Sequence, residues 1–148
     1  MNNNQNINEN LNPSEIKTTS GSKESRSEIN KMNELKANLR QFCGTENYYR
    51  HTLSRMVYTD GVQYLAEEAG AYWLIDAVAS YQDSKMKEKY PFQIWELKVN
   101  SDKSCILTMI EDTGYPEIVH QKIEYTDFPL DYMKLYCIDN ALLLPSEY

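Results

Sequence analysis

The two histidines and the carboxylates near them are the residues whose types could support acid and base chemistry. The chain contains only His51 and His120, which excludes a metal centre built from several histidines. An imidazole changes charge near neutral pH, and a carboxylate such as Asp76 can orient it for proton transfer. A small hydrolase or nuclease with a site near His51 and Asp76 is therefore one hypothesis, which requires a proximity that sequence spacing does not establish.

Other features of the sequence argue against catalysis. Glu67-Glu68 and Glu111-Asp112 are adjacent pairs, and neighbouring side chains on a helix or strand point in different directions. The chain has no G-x-S-x-G elbow, no phosphate-binding glycine loop and no C-x-x-C pair. We therefore expect a protein that has no catalytic residue, no metal and no cofactor.

The aromatic residues are mostly tyrosines, with twelve Tyr against two Trp and three Phe. Tyrosine joins an apolar ring to a polar hydroxyl, which suits cores and wet protein interfaces. A base-stacking platform would lie in a positive groove, and only Arg50, His51 and Arg55 are near the tyrosines that follow Thr45. Core packing or a protein-facing patch is the better interpretation, with Tyr48 and Tyr49 as candidate contacts.

The net charge of −7 is unevenly distributed. Residues 1–40 carry six Lys/Arg against five Asp/Glu, whereas residues 41–148 carry nine against seventeen. An acidic domain argues against direct nucleic-acid binding and fits a protein partner with a basic surface. The same charge could simply maintain solubility.

The cysteines and the hydropathy indicate the compartment. Cys43, Cys105 and Cys137 are an odd, widely spaced set, which fits a reducing environment better than a disulfide framework or a zinc site. No apolar run approaches the roughly 20 residues that cross a bilayer, and the first residues lack the pattern of a secretory signal. We expect a cytoplasmic protein, in a bacterial cell or a phage-infected host, that does not engage a membrane.

The chain divides into three predicted regions. Residues 1–24 form an Asn/Ser-rich arm that we expect to be disordered, because it has too little apolar surface to bury. Residues 25–43 form an amphipathic helix, which the capping-box pattern at Ser25 starts and which is best defined over Ser27–Gln41. Its narrow apolar stripe fits packing on the domain or pairing with a second copy, and we expect a monomer or a weak dimer. Residues 44–148 form a single α+β domain.

Two helices are predicted at the start of that domain. Thr45 could cap a helix over Glu46–Met56, which would end at a tight turn over Tyr58–Gly61. Apolar residues at helical spacing predict a second helix over Ala71–Tyr81, with Glu67 and Glu68 placed before its positive end. A charged linker is predicted over Gln82–Pro91.

Strand patterns follow from Phe92. Alternating or continuous apolar residues predict four strands and a short final run, separated by turns, at Phe92–Val99, Cys105–Ile110, Glu117–Tyr125, Tyr132–Ile138 and Leu142–Leu144. Pro129 makes the segment before Tyr132 irregular. The predicted fold class is α+β, with N-terminal helices packed on one face of a three- to five-stranded antiparallel sheet and preceded by the disordered arm.

Residues 41–148 resemble a family of small proteins from bacteria and their mobile elements that is catalogued only as a domain of unknown function. The stretches that carry the resemblance are FCGTENYYRH from Phe42, YTDGVQYLAEEAGAYWLIDAVASYQ from Tyr58, IEYTDFPL from Ile123 and LLLPSEY from Leu142. The resemblance implies no activity and no catalytic residue.

Small, acidic, Tyr-rich proteins of mobile elements also resemble, as a class, phage-encoded inhibitors of host defence, including anti-CRISPR proteins. An RNA-guided nuclease holds its nucleic acid in a positively charged channel, which carboxylates and tyrosines could occupy. On this hypothesis the protein is a non-enzymatic inhibitor whose partner is a CRISPR effector or its RNA-loaded complex. Its partner-facing residues would be Tyr48, Tyr49, Glu67, Glu68, Glu111, Asp112, Glu117, Asp127 and Asp131. A regulatory or structural module of a mobile element is a further alternative.

Overall fold

A computed structural model of the chain describes residues 26–148. The described chain divides after Lys36, and Ala37–Tyr148 forms one compact unit, the second of two. The predicted arm at residues 1–24 and the start of the predicted capping box at Ser25 lie outside the described residues. No helix within residues 26–148 combines the length and the apolar character needed to cross a bilayer.

Helix α1 covers residues 26–39, and its last turn opens the second unit. It corresponds to the helix predicted over Ser27–Gln41 and ends two residues earlier. Within the second unit, the Asn38 amide donates a hydrogen bond to the Tyr64 hydroxyl at 2.9 Å. The ring of Phe42 packs against that of Tyr64 with 5.3 Å between centroids. These two contacts hold the segment from Asn38 to Phe42 against Tyr64.

The residues after Thr45 form a β-hairpin, so the helix predicted over Glu46–Met56 is wrong. Strand β1 (Tyr48–Arg50) pairs antiparallel with strand β2 (Val57–Thr59). Tyr49 lies opposite Tyr58, and the two rings stack with 5.7 Å between centroids. Aromatic and β-branched residues favour a pleated surface when partner strands are present, and Val57 and Tyr58 of β2 also pair with Ala141 and Leu142, far along the chain.

The predicted turn over Tyr58–Gly61 is also wrong, because this segment ends β2 and starts helix α2 (Asp60–Ala69). Thr59 is the N-cap residue of α2, and its hydroxyl accepts a hydrogen bond from the Val62 amide. Thr and Asp are typical of turns and of helix starts for the same reason, since both bond free backbone amides. The local sequence therefore could not separate the two structures.

Helix α2 ends at Gly70, whose φ of 61° is the left-handed conformation that glycine adopts without strain. Helix α3 (Tyr72–Ser80) follows and confirms the helix predicted over Ala71–Tyr81. Glu67 and Glu68 lie in the last turn of α2, at its negative end, and no side chain caps the start of α3, where they were predicted to act. The predicted linker contains a short helix, α4 (Ser84–Lys89), which Asp83 caps.

The sheet is larger than predicted and mixed in direction. Strands β3, β4 and β5 form an antiparallel meander, β6 pairs with the other side of β3, and β7 pairs with β6. Their bounds are Phe92–Val99, Cys105–Ile110, Glu117–Ile123, Tyr132–Ile138 and Ala141–Leu143. Because β2 pairs with β7 in parallel, the hairpin joins the same sheet, whose order is β1-β2-β7-β6-β3-β4-β5.

The predicted α+β class is therefore confirmed, whereas the three- to five-stranded antiparallel sheet is replaced by seven strands with one parallel pair. Three of the seven strands have only three residues, too few to show alternation in the sequence.

The two faces of the sheet differ in what covers them. Trp95 and the residues in register with it, Met109 and Leu135, are buried on one face, which we call the covered face. The ring of Tyr81, directly after α3, packs on Trp95, and its hydroxyl donates to Gln121 of β5. Helix α3 therefore lies over the covered face. The opposite face, the open face, carries a row of exposed or half-buried side chains that includes Lys98, Lys122 and Tyr132.

Glu147 binds the start of α2, and we call this contact the Glu147 clasp. Its Oε1 accepts hydrogen bonds from the Thr59 hydroxyl at 2.6 Å and the Leu144 amide at 2.9 Å, and its Oε2 accepts one from the Gly61 amide at 3.1 Å. A carboxylate at this end also interacts favourably with the helix dipole. Glycine at position 61 leaves room for this contact, since an added Cβ would lie 2.6 Å from Glu147 Oε1 and would displace that carboxylate.

We predict that Glu147→Ala lowers the free energy of unfolding by about 1–3 kcal/mol, because it leaves three donors at a half-buried site without their acceptor. Urea unfolding followed by circular dichroism measures this change. Glu124→Ala is the matched control, because Glu124 is exposed and the described structure gives its side chain no hydrogen-bond partner. Equal midpoints for the two variants would contradict a stabilising role for the clasp.

Candidate functional site

The loop between β1 and β2 carries a polar group that we call the His51 cluster, formed by His51, Ser54 and Asp76. Nε2 of His51 lies 2.7 Å from Oδ1 of Asp76 on α3, and Nδ1 lies 2.8 Å from the hydroxyl of Ser54. The loop itself is held by two hydrogen bonds. The His51 amide donates to the Met56 carbonyl, and the Met56 amide donates to the Ser54 hydroxyl. The structure thus brings together the His51 and Asp76 that the sequence suggested.

Ser54 is the member of this cluster that sequence analysis missed. Its distance of three residues from His51 would have been a signal within a hairpin loop, but the segment was predicted to be helical. On a helix, residues three apart lie on the same face, but this spacing alone does not indicate a hydrogen bond between the serine hydroxyl and the imidazole. Ser54 could therefore be recognised as a member of the cluster only once the segment was known to form a hairpin.

The cluster can hold and pass a proton. If Asp76 accepts the hydrogen of Nε2, the lone pair of Nδ1 is available to the Ser54 hydroxyl. The side chain of Asp76 is 68% exposed whereas that of His51 is 10% exposed. This order is the reverse of a serine protease triad, in which the carboxylate is the buried member. The arrangement also has a simple structural effect, because it fastens the hairpin loop to α3.

Two tyrosines extend the cluster toward α2. Burial raises the pKa of Tyr58, and the negative charges of Asp76 and Glu67 raise it further. The Tyr72 hydroxyl donates a hydrogen bond to Glu67, which raises the pKa of Tyr72 to about 12, with burial adding to the effect. Both phenols are therefore protonated at neutral pH, and that of Tyr72 acts as a donor. Glu67, a predicted partner contact, already has a hydrogen-bond partner within the chain.

Asp60 anchors the segment before the hairpin. One of its oxygens accepts hydrogen bonds from the amides of Glu46 and Asn47, and the other accepts one from the Tyr49 hydroxyl at 3.0 Å. Desolvation alone would raise the pKa of Asp60, but these donors outweigh it and lower the pKa to about 2. The Thr45 hydroxyl also contacts Asp60, so the residue predicted to cap a helix instead binds a distant carboxylate.

We predict that Asp60→Asn removes a pH-dependent part of the stability. The pKa of Asp60 is lower in the folded chain than its ordinary value of 3.8, so its contribution is complete above about pH 4 and is lost as the pH falls through 2. Melting temperatures measured from pH 2 to pH 7 should therefore differ between the variant and the native chain most at neutral pH and converge near pH 2. Asp131→Asn is the control. If the melting temperatures of Asp60→Asn and the native chain differed by the same amount at every pH, the prediction would be contradicted.

The predicted partner-facing carboxylates are all exposed, but the structure separates them into groups. Glu111, Asp112 and Glu117 surround the turn from β4 to β5, where Ile110 pairs with Glu117. Asp127 and Asp131 lie at the opposite end of the sheet, where the Asp131 carbonyl accepts a hydrogen bond from the last residue of β3. The length of β4 places these ends about 17 Å apart. Glu67 and Glu68 form a third group at the end of α2.

The two predicted tyrosine contacts differ in their surroundings. The side chain of Tyr48 is exposed on the edge strand β1, where a partner could reach it. Tyr49 is half buried, stacks on Tyr58 and donates its hydroxyl to Asp60. The contacts of Tyr49 therefore stabilise the hairpin, and its ring is less accessible to a partner than that of Tyr48.

The remaining titratable residues give no ligand set. Within residues 26–148, no group of three His, Cys, Asp or Glu side chains has the geometry to hold a metal ion. Cys105 and Cys137 are buried, and burial raises the pKa of the Cys137 thiol to about 12, so it is a poor nucleophile. The imidazole of His120 is exposed and contacts Glu117 at 2.6 Å on the same strand.

Comparison with known proteins assigns the chain to a group without assigning it a role. Residues 33–148 match the family described as "Family of unknown function (DUF6876)", which is most of the chain and extends the resemblance seen in the sequence toward α1. Neither the curated proteins nor the solved structures contain a match.

Proposed function

This chain belongs to a family of unknown function, DUF6876, and we propose that it is a non-enzymatic binding protein that inhibits a host nucleic-acid-handling defence complex. On this proposal it is an anti-CRISPR protein whose carboxylates engage the basic surface of an RNA-guided nuclease. The protein acts in the cytoplasm of a bacterial cell or a phage-infected host, where such complexes work.

The observation that carries the proposal is the state of the acidic side chains. Within residues 26–148, the short contacts between basic and acidic side chains join His51 to Asp76 and His120 to Glu117, and no Lys or Arg side-chain nitrogen lies within 4.0 Å of a carboxylate oxygen. The acidic charge is therefore not neutralised by contacts inside the described part of the chain. Exposed carboxylates of this kind attract a basic partner and accelerate its association, most strongly at low ionic strength.

An RNA-guided nuclease provides a surface of the required sign. Such an enzyme holds nucleic acid through Lys and Arg side chains that line its channel. A folded acidic protein can compete for these side chains, because it offers carboxylates where the nucleic acid offers phosphates. The carboxylates at the two ends of the sheet suit an extended basic groove better than a single small pocket.

We predict that reversing the charge of the carboxylates reduces inhibition. Two variants test the ends of the sheet separately, one with Glu111→Lys, Asp112→Lys and Glu117→Lys, and one with Asp127→Lys and Asp131→Lys. The measurement is the survival of a targeted plasmid in cells that carry a CRISPR system, with capture of the effector by the tagged protein at increasing salt. Survival and capture should fall for at least one variant, by roughly tenfold or more, because attraction becomes repulsion.

The matched control reverses Glu28 and Glu34, which are exposed residues of α1 outside the predicted contacts. Unchanged inhibition and capture in both sheet-end variants would overturn the proposal. A loss of the same size in the control would show that net charge alone is responsible, which would also overturn it.

A second candidate function is hydrolysis at the His51 cluster, because His51 and Asp76 lie 2.7 Å apart and Ser54 completes a chain of polar contacts. Here Ser54 would be the nucleophile, His51 its base and Asp76 the residue that orients the imidazole. Esters and nucleic acids are both suitable substrate classes for a first assay, because a serine nucleophile can attack either.

For this second candidate we predict that His51→Gln and Ser54→Ala each lower the turnover of an activated aryl ester, or of a single-stranded oligonucleotide, by at least about a hundredfold. Circular dichroism spectra establish whether the variants remain folded. Ser104→Ala is the control for a serine in an exposed turn. Full turnover in the folded His51→Gln variant would remove this candidate.

A further inference from the structure

A cleft of about 410 Å³ lies beside the turn from β4 to β5. Tyr90, Pro91 and Phe92 form one wall, where α4 gives way to β3, and Glu111, Asp112 and Tyr115 form the other. Strand register brings the walls together. Ile94 of β3 pairs with Ile110 of the antiparallel strand β4, so the residues before Ile94 and the residues after Ile110 extend toward the same end of the sheet. The cleft therefore lies where α4 ends, β3 begins and β4 ends.

Both carboxylates of this cleft have oxygens that are available to accept hydrogen bonds from a partner. The Glu111 side chain is exposed and has no hydrogen-bond or ion-pair partner within residues 26–148. One oxygen of Asp112 accepts a hydrogen bond from the Thr113 amide at 2.7 Å, which fixes its orientation and leaves the second oxygen available. Two carboxylates at one rim provide the acceptors that a cation requires.

Aromatic rings complete the cleft and continue beyond it. The side chain of Tyr115 is 56% exposed at one wall, and the ring of Phe92 lies at the other. Phe92 packs on Tyr136 and Tyr148 with centroid distances of 5.2 and 5.6 Å, so an aromatic strip runs from the cleft onto the open face. Exposed rings of this kind are typical of protein interfaces.

The chain itself shows that one of these rings takes a cation. The Lys89 ammonium lies 5.5 Å from the centroid of the Tyr90 ring. The face of an aromatic ring attracts a positive charge, and a guanidinium can stack on such a face while it donates hydrogen bonds in its own plane. Carboxylates and aromatic rings in one cleft therefore satisfy both requirements of an arginine side chain.

We propose that this cleft binds an arginine side chain of a protein partner, with Glu111 and Asp112 accepting from the guanidinium and the rings of Phe92 and Tyr115 packing against it. The inference rests on the proposed function, because it names the chemistry by which the basic partner is held. Arginine fits better than lysine, since its planar head can stack and bond two carboxylates together. A nucleic acid fits poorly, because its phosphates would approach the two carboxylates.

The test is a titration of the full chain, labelled with ¹⁵N, with the capped peptide Gly-Gly-Arg-Gly-Gly, followed by amide chemical shifts at low salt. We expect shifts concentrated at residues 90–92 and 111–115, with a Kd on the order of 1 mM for a single side chain. The same peptide with citrulline keeps the shape and removes the charge, and it should bind at least about tenfold more weakly. The lysine peptide should bind more weakly than the arginine peptide.

Two variants test the walls of the cleft. Glu111→Gln with Asp112→Asn should weaken binding of the arginine peptide roughly fivefold or more, and Tyr115→Ala should weaken it by a similar factor. The matched control is Glu28→Gln with Glu34→Gln, two exposed carboxylates of α1 outside the predicted contacts, which should leave binding unchanged. Equal binding of the arginine and citrulline peptides, or shifts spread over the whole acidic surface, would overturn the inference.

The experiment separates this inference from the proposed function. If the arginine peptide binds as expected and the protein does not inhibit any defence system, the cleft is supported and the proposed function fails. If the protein inhibits a defence system and the arginine peptide does not shift residues 90–92 and 111–115, the inference fails alone. A single-stranded oligonucleotide that shifts these residues more strongly than the peptide would assign the cleft to nucleic acid and overturn the arginine assignment.

Discussion

The Glu147 clasp is the contact on which the arrangement of the rest of the domain depends. A single carboxylate receives hydrogen bonds from Thr59, Gly61 and Leu144, which lie at the end of β2, at the start of α2 and directly after β7. Because these points meet at one group, the parallel pairing of β2 with β7 and the starting point of α2 are fixed together. Leu142 and Leu144 are buried beside the clasp, which limits the access of water to its hydrogen bonds.

The elements that the sequence predicts well are those with long apolar patterns. Helix α3 and strand β3 agree with prediction because their apolar residues define a period, and β4 agrees because a continuous apolar run between turns is typical of a covered strand. The prediction of the hairpin failed because Tyr48–Arg50 and Val57–Thr59 are too short to alternate, and because β7, the second partner of β2, is more than eighty residues away along the chain. Thr59 and Asp60 were ambiguous because a turn and a helix start require the same hydrogen-bonding side chains.

The candidate sites were predictable to different degrees. His51 and Asp76 could be nominated from their types, but only the fold shows that α3 and the hairpin loop bring them together. The acidic side chains could be counted, yet their separation into the two ends of the sheet and the end of α2 follows from strand register. The cleft beside Glu111 was not visible at all, because its aromatic wall comes from Tyr90 and Phe92, which the sequence placed at the edge of a linker.

The parallel pair of β2 and β7 also determines when the domain can form during translation. Strands β3, β4 and β5 are consecutive antiparallel partners, so they can pair as soon as they leave the ribosome. The hairpin of β1 and β2 is made earlier than all of them, yet its sheet neighbour is the last strand, and α2 receives its acceptor from residue 147. Until that segment emerges, the apolar side of α2, including Val62 and Leu65, has no completed sheet beside it. From the synthesis of α2 to the synthesis of β7, the nascent chain therefore carries apolar surface of the kind that makes partly folded chains prone to aggregation.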